Sequence, residues 1–260
     1  MKFTDQLNNT IELSQAPKRM VCLVPSITEL LAYFKLESEV VGITKFCFEP
    51  NSWFKSKVKI GGTKTIDIAA IKALKPDLII ANKEENNKAQ IEQLQKEFTV
   101  WISDIFTLED AIDMIEKLGS ICDKTVEATH LNKNITAVFE RLKAKKPSLL
   151  KAAYFIWDKP LMVAANNTFI NNMMQFAGFK NVFKNLNRYP TINEEQLKTA
   201  NPNVLLLSSE PFPFKAKHIK KYQRILPKAK IILVDGTMFS WYGSRLAKAP
   251  RYFLELSVMI

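Results

Sequence analysis

Short apolar runs alternate with amphipathic segments along most of this chain. In the first half, strands are predicted at residues 20–24, 40–43, 78–81 and 99–102. The segments between them have helical patterns, beginning with Thr28–Phe34. In the second half, strands are predicted at residues 152–157, 161–164, 204–207 and 231–234, with helices at Thr168–Ala177 and from Gly243 onward. Apolar strands separated by helices favour an α/β fold with mostly parallel sheets.

The alternation stops between Thr107 and about Lys146, where the pattern is helical. Thr107 and Asp110 form the ends of a predicted capping box. Gly119 is predicted to stop or kink this first helix. Val126, Leu131, Ile135, Val138 and Leu142 then keep helical spacing until Pro147. The sequence therefore predicts an N-terminal lobe at 1–106, a helical linker at 107–147 with a long interlobe helix, and a C-terminal lobe at 148–260.

Residues 65–84 and 191–210 align without a gap and resemble two copies of one unit. The identical pairs are Thr65/Thr191, Ile66/Ile192, Lys72/Lys198, Pro76/Pro202 and Glu84/Glu210. Each copy predicts a helix capped by its Thr, a proline turn, a buried strand and a Glu just past that strand. A second capping box is predicted at Thr191–Glu194. The repeat predicts two similar lobes with a ligand cleft between them.

Composition excludes several classes of site. The net charge is +11, but the lysines are scattered apart from a short cluster at 143–146, which favours a solvated surface over a nucleic-acid groove. A basic surface could still attract an anionic ligand. The pair Gly61-Gly62 lacks the spacing of a phosphate-binding loop.

The cysteines and histidines are too few and too widely spaced to predict a metal site or a disulfide framework. Cys22, Cys47 and Cys122 form no C-x-x-C pair, and the only histidines are His130 and His218. No cofactor is expected to be required, and we expect a monomer.

The N-terminus has no apolar signal-peptide core, and no run approaches the roughly 20 apolar residues of a membrane span. The chain as given is therefore predicted to be cytoplasmic. With an export segment it would be periplasmic or lipid-anchored.

Aromatic residues crowd the loops that follow the predicted strands, where parallel sheets bind ligands. Trp and Tyr offer flat apolar area with a polar handle, and Arg can contact an anion. The predicted ligand-binding residues are Pro25, Ser26, Phe48, Trp53, Thr63, Glu84, Asn86, Trp157, Arg188, Tyr189, Glu210, Phe212, Trp241, Tyr242 and Arg245. Any one of these aromatics could instead cap the edge of the core, and Glu84, Glu85 and Glu210 could be solvated loop ends.

No catalytic residue is predicted. Ser26 lacks a nucleophile-elbow sequence and is expected to cap the following helix. Asp235 precedes Gly236, which favours a turn.

The chain resembles the helical-backbone (cluster A-III) periplasmic binding proteins, which bind cobalamin, iron–siderophores or haem for ABC importers. The segments that carry the resemblance are Thr4–Leu7, Lys18–Leu31, Val40–Thr44, Gly61–Thr63, Lys75–Ile80 and Asp235–Arg245. It implies two α/β lobes joined by one long helix, with the ligand in a shallow cleft. In the cobalamin-binding branch, one Glu on each lobe docks to permease arginines. The lobe-one Glu of that branch would fall near Lys88 here, so the role of Glu84 and Glu210 stays open.

The leading prediction is non-catalytic binding of a cobalamin-like corrinoid or another metal chelate, with an ABC permease as partner if the protein is exported. One alternative is a cytoplasmic cofactor carrier or assembly scaffold that uses the same cleft, for which Cys47 would be the available ligand. Another is a protein-docking module in which Glu84, Glu85 and Glu210 contact basic side chains.

Overall fold

The computed structural model describes residues 1–143 and 150–260, which form two compact units. Unit 1 contains Met1–Ile105, Glu109–Asn134 and Tyr242–Arg245. Unit 2 contains Phe106–Leu108, Ile135–Trp241 and Leu246–Ile260. Both units are discontinuous in sequence, whereas the division predicted from the sequence is contiguous.

Unit 1 is built on a five-stranded parallel sheet of order β5-β4-β3-β6-β7, preceded by a small antiparallel pair, β1 and β2. Its strands are β1 (Lys2–Thr4), β2 (Thr10–Glu12), β3 (Met20–Cys22), β4 (Val40–Ile43), β5 (Val58–Lys59), β6 (Leu78–Asn82) and β7 (Val100–Ser103). The helices between them are α1 (Pro25–Tyr33), α2 (Asn51–Ser56), α3 (Ile68–Leu74) and α4 (Lys88–Gln95).

The predicted parallel sheet is confirmed, and its strands are apolar because both faces are covered. Val21, Ile79 and Ile102 lie in one buried cluster with Ile71 and Ile91 of the covering helices. Helix α1 begins three residues earlier than predicted, at Pro25. Proline suits a first helical turn because its fixed φ is already helical and its missing N–H would have no partner there.

Two helices follow β7: α5 (Leu108–Ile121) and α6 (Thr125–Lys143). The 19-residue α6 confirms the predicted long helix. Its residues through Asn134 belong to unit 1, and those from Ile135 belong to unit 2. Helix α5 runs through Gly119 and ends two residues later. Pro147, predicted to end the long helix, lies outside the described residues.

Unit 2 is built on a second sheet, in which β10, β8, β11 and β12 are parallel and β9 pairs antiparallel with β8. Its strands are β8 (Leu150–Trp157), β9 (Met162–Val163), β10 (Phe179–Asn181), β11 (Val204–Ser208) and β12 (Lys230–Val234). Its helices are α7 (Phe169–Phe176), α8 (Glu194–Ala200), α9 (Ala216–Ile225), α10 (Thr237–Ser240) and α11 (Ala249–Val258), with a 3-10 turn at Ser244–Ala247. The predicted pairing of residues 161–164 with 152–157 is confirmed by β9.

The closing helix was predicted from Gly243 but begins at Ala249. The intervening residues form the 3-10 turn, and Pro250 occupies the first turn of α11. The position of Pro250 explains the late start, since proline has no N–H to donate within a helix that began earlier.

The sequence repeat is real in the structure, but Thr65 and Thr191 were wrong as helix caps. Asp67 accepts a hydrogen bond from the Ala70 backbone N–H at 2.9 Å and caps α3. Asn193 does the same for α8, accepting from Gln196 N–H at 2.8 Å while its own N–H donates to Gln196 Oε1. In each copy the capping residue lies two positions after the Thr, directly before the helix, where its short side chain reaches the free N–H groups.

The repeat also sets the position of each strand that follows its helix. Lys75 and Asn201 occupy equivalent positions and end α3 and α8 in the left-handed conformation. Two residues later, Asp77 accepts from Arg19 N–H at 3.0 Å and Asn203 accepts from Lys151 N–H at 3.0 Å. Each copy therefore ties its strand to the start of the neighbouring strand, β3 or β8.

Candidate ligand-binding site

In unit 1, the loop after β6 is ordered by its own asparagines. Asn82 Oδ1 accepts hydrogen bonds from the backbone N–H of Glu84 at 2.8 Å and of Glu85 at 2.9 Å. Asn86 Oδ1 accepts from Asn82 N–H at 2.8 Å, and its Nδ2 donates to Thr63 O at 3.1 Å. The amide of Asn86 is therefore used to join two loops at the carboxyl end of the sheet.

The segment Tyr242–Arg245 is anchored to unit 1 by two acidic residues. The Tyr242 hydroxyl donates to Glu85 Oε1 at 2.5 Å. Burial, followed by the charge and hydrogen bond of Glu85, raises the pKa of Tyr242 well above its usual value. Arg245 donates from Nε and Nη2 to the two oxygens of Glu29, at 2.9 and 2.8 Å. A bidentate pair of this kind fixes the orientation of the guanidinium group.

The other predicted residues of unit 1 differ in accessibility. Pro25 and Ser26 are buried in the first turn of α1, so the prediction that Ser26 caps this helix was wrong, and Val24 occupies the cap position. Trp53 is 3% exposed in α2, with Lys57 Nζ 5.5 Å from its ring centroid. Phe48 is 43% exposed in the loop after β4. Of these four, only Phe48 presents a side chain that a large ligand could reach in this conformation.

In unit 2, Glu210 holds the end of the loop that follows β12. Glu210 Oε1 accepts from Ser240 Oγ at 2.6 Å and from Trp241 Nε1 at 2.9 Å. A Cβ atom at Gly236 would lie 2.3 Å from Ser208 Oγ and 2.7 Å from Glu210 Cγ. Glycine at 236 therefore allows the close approach that this pairing requires.

Trp157 and Phe212 form an aromatic pair at the carboxyl ends of β8 and β11. Their ring centroids are 5.5 Å apart in an edge-to-face arrangement. Trp157 Nε1 donates to Lys159 O at 3.0 Å, and the side chain remains 38% exposed. Phe212 also packs on Phe214 with centroids 4.8 Å apart. The structure thus brings together two predicted residues as a fixed, accessible apolar surface.

Arg188 and Tyr189 lie in the segment between β10 and α8. The Arg188 guanidinium lies over the Phe106 ring, 5.2 Å from its centroid. The Arg188 backbone N–H donates to Asn166 O at 2.8 Å. Tyr189 is half-buried. Arg188 Nη1 also donates to Asn167 O at 3.5 Å, so the guanidinium takes part in contacts within unit 2.

The sequence did not indicate which side chains pair with several of the predicted residues. Glu29 binds Arg245, Glu85 binds Tyr242, and Ser240 shares Glu210 with Trp241. Glu29 and Arg245 are 216 positions apart, and Glu85 and Tyr242 are 157 apart. No local pattern could have linked residues at such separations.

The buried thiols offer no reactive group. Cys47 Sγ lies 3.1 Å from both Thr28 Oγ1 and Thr44 Oγ1, and burial raises the pKa of its thiol. Across residues 1–143 and 150–260, no group of three or more His, Cys, Asp or Glu is arranged to hold a metal ion. The described helices include none that is long and apolar enough to cross a membrane.

Known proteins share both the sequence pattern and the fold. The vitamin B12-binding protein of Vibrio vulnificus strain CMCP6 is 28% identical over 204 residues, covering 76% of this chain and 74% of that protein. The uncharacterized ABC transporter substrate-binding lipoprotein YvrC of Bacillus subtilis strain 168 is 23% identical, covering 96% of this chain and 83% of that protein. The structure of the periplasmic haem-binding protein HutB of Vibrio cholerae superposes with a TM-score of 0.78 at 18% identity, covering 92% of this chain and 98% of that one.

The family model described as periplasmic binding protein matches residues 20–226. This match confirms the resemblance predicted from the sequence. It also confirms the predicted non-catalytic role, because proteins of this family bind substrates and are not enzymes. The chain therefore belongs to the periplasmic binding protein family.

Proposed function

We propose that this protein binds a cobalamin-type corrinoid, or another planar metal chelate such as haem, and delivers it to an ABC importer. The observation that carries the proposal is the 28% identity to a vitamin B12-binding protein over 76% of the chain. The chelate is cargo in this proposal, so no cofactor is required.

Accessible aromatic side chains at the carboxyl ends of the strands support a large flat ligand. In unit 2, Trp157 presents an exposed indole, which Phe212 and the hydrogen bond to Lys159 hold in place. In unit 1, Phe48 is exposed in the loop after β4. Rigid aromatic surfaces lose little conformational entropy when a macrocycle stacks on them.

The remaining predicted residues take a supporting role in this proposal. Glu210 accepts a hydrogen bond from Trp241, and Glu85 accepts one from the adjacent Tyr242. The two carboxylates order the segment that includes Trp241 and Tyr242, which makes them scaffold for neighbouring ligand contacts. This arrangement favours small-ligand binding over the docking alternative for these two carboxylates. Glu84 is half-buried and stays a proposed ligand or permease contact.

The decisive experiment titrates the purified protein with cobalamin, haem and a ferric siderophore. Binding is monitored by isothermal titration calorimetry and by absorbance. We expect one of them to bind with a dissociation constant below about 100 μM, equivalent to about −5.5 kcal/mol. Failure of all three to bind at that level would refute the proposal. Tight binding of only the siderophore would refute the proposal that the ligand is planar. It would still be compatible with delivery of the ligand to an importer.

The location and the partner follow from the same proposal. A cytoplasmic location was predicted for the chain as given, and a periplasmic or lipid-anchored one if an export segment precedes it. The B. subtilis relative is a lipoprotein, and the family is named for periplasmic proteins, which supports the second location. Fractionating cells that express the complete gene product tests it, and recovery in the cytosol alone would exclude an importer partner.

A further inference from the structure

Positive charge is concentrated in one part of unit 2, although the lysines look scattered along the sequence. Between Leu197 and Val234 there are eight Lys and Arg residues and a single acidic residue, Glu210. This stretch therefore carries seven of the eleven net positive charges of the chain. It contains the end of α8, strand β11, helix α9 and strand β12.

Helix α9 displays much of this charge on one side. His218 and Tyr222 point into unit 2, where they are 6% and 1% exposed. Lys217, Lys220 and Arg224 are exposed, and their spacing of three and four residues puts them on a common side of the helix. With Lys228, which follows the helix and is also exposed, they are called the basic face below.

The basic face is not neutralised by acidic neighbours. Within the part of the chain that the structure describes, none of its four side chains forms an ion pair. The nearby Lys221 is different, because it pairs with Asp158 at 2.6 Å. Repulsion among these exposed cations raises the free energy of the unbound protein. Binding to an anionic surface would relieve that repulsion.

A small recess opens beside the basic face, at the amino ends of β11 and β12. It has a volume of about 170 Å³ and is lined by Lys198, Asn201 and residues 225–229, which include Lys228. No acidic side chain lines it. A phosphate group would therefore meet two cations and an amide there.

We propose that the basic face is a docking surface for an anionic phospholipid bilayer, with the recess receiving a lipid phosphate. Charge complementarity carries the proposal, because three of the clustered cations lie on the exposed side of α9 and the fourth follows the helix. A nucleic-acid groove would instead interleave its cations with accessible aromatic rings. Here the aromatic residue of α9, Tyr222, is buried beneath the helix. The basic face contains none of the residues proposed to contact the chelate, so the inference goes beyond the proposed ligand.

The test measures sedimentation with large vesicles of equal parts phosphatidylglycerol and phosphatidylcholine, compared with vesicles of phosphatidylcholine alone. We expect binding only to the anionic vesicles, and weaker binding in high salt because the charges are exposed. The triple variant Lys217→Glu, Lys220→Glu, Arg224→Glu should partition at least about a hundredfold less, since each surface cation contributes about fivefold.

A matched control separates the basic face from net charge. Lys55→Glu, Lys96→Glu and Lys133→Glu change the net charge by the same amount at exposed positions of unit 1. This variant should retain most of the vesicle binding. Circular dichroism and the chelate titration should be unchanged in both variants, which shows that both are folded.

Three outcomes would overturn the proposal. The first is no binding of the unmodified protein to phosphatidylglycerol vesicles. The second is an equal loss in the two triple variants, which would show a response to net charge alone. The third is tighter binding to a short DNA duplex than to the vesicles, with the same dependence on the basic face.

Discussion

At the scale of single residues, Asp67 and Asn193 cap helices α3 and α8 by accepting hydrogen bonds from backbone N–H groups of the first turn. We predict that Asp67→Ala and Asn193→Ala each lower the free energy of unfolding by about 1 kcal/mol, because each leaves a helix N–H without its acceptor. Urea unfolding followed by circular dichroism measures this. The matched controls Thr65→Ala and Thr191→Ala should change it by less than about 0.5 kcal/mol. A larger effect for the threonines would restore the caps predicted from the sequence.

Asp158 gives the protein a pH-dependent contribution to stability. Its burial disfavours the charged form, but hydrogen bonds from Lys221 Nζ and Tyr222 Oη, each 2.6 Å long, and the charge of Lys221 outweigh this. The pKa of Asp158 is therefore lowered in the folded protein. A lowered carboxyl pKa stabilises the fold at pH values above the unfolded pKa of about 3.9, and this stabilisation is lost as the pH falls through the folded pKa.

We predict that Asp158→Asn lowers the free energy of unfolding at pH 7 by about 2 kcal/mol, since hydrogen bonds to a charged group contribute about that much. The gap between the variant and the unmodified protein should narrow as the pH falls below about 4. Urea unfolding at several pH values measures both. Glu12→Gln is the control, because the ion pair of Glu12 with Lys2 is exposed. A gap for Asp158→Asn that is independent of pH would contradict the prediction.

The residues of the candidate site were selected from the sequence, but their hydrogen-bond partners could not be. Glu210 was identified because it ends a repeated unit, and the structure shows it accepting hydrogen bonds from Ser240 and Trp241. Trp241 and Tyr242 were predicted as ligand contacts from their place in a loop after a strand, and they are 4% and 5% exposed. A sequence shows that an indole needs both an apolar surface and an acceptor, but the fold decides whether the protein or a ligand supplies them.

At the scale of secondary-structure elements, Gly119 has a packing role. A Cβ atom there would lie 2.4 Å from Ala128 Cβ and 3.2 Å from Lys124 O. We predict that Gly119→Ala destabilises the protein by about 1–3 kcal/mol through overpacking between α5 and α6, although alanine is the better helix former. Adding Ala128→Gly should restore part of the loss, and urea unfolding measures both effects. Exposed Ser120→Ala is the neutral control. A Gly119→Ala variant as stable as the unmodified protein would contradict the predicted close packing.

Elements with a continuous apolar signal were predicted well, and the others were missed for a common reason. Val40–Ile43 was predicted to the residue, because all four positions are apolar or glycine. Helix α9 was missed because two residues on its buried side, His218 and Tyr222, carry polar atoms. Strand β5 spans two residues and has no detectable period. Periodicity detects burial of apolar side chains, so it fails where a short or polar segment is buried.

At the scale of the whole molecule, each compact unit is assembled from separate stretches of the chain. The segment Tyr242–Arg245 belongs to unit 1, although the residues on both sides of it belong to unit 2. Tyr242 and Arg245 donate hydrogen bonds to Glu85 and Glu29 of unit 1, and both contacts join residues far apart in sequence. The repeat correctly suggested two related sheets. The repeat could not show that Tyr242–Arg245 belongs to unit 1, because this segment lies outside both repeated copies.

Ligand binding and stability should therefore respond differently to the two tryptophans of unit 2. Trp157 is exposed, so we predict that Trp157→Ala keeps the stability of the ligand-free protein and weakens chelate binding. Loss of stacking worth about 0.5–1.5 kcal/mol corresponds to roughly two- to twelvefold. Trp241 is buried and bound to Glu210, so Trp241→Ala should cost about 3 kcal/mol of stability before any ligand is added.

Urea unfolding with and without the chelate measures both effects. Ligand at a hundred times its dissociation constant should add about 2.7 kcal/mol to the unmodified protein. At the same ligand concentration, the increase in the free energy of unfolding should be about 0.5–1.5 kcal/mol smaller for Trp157→Ala. The lost stacking energy raises the dissociation constant, so the ligand stabilises the variant less. Tyr33→Ala, which removes an exposed aromatic at the far end of α1, should match the unmodified protein with the chelate. Equal ligand stabilisation in Trp157→Ala and Tyr33→Ala would show that Trp157 does not contact the ligand. Full stability of ligand-free Trp241→Ala would show that the hydrogen bond to Glu210 does not hold Trp241 and its neighbours in place.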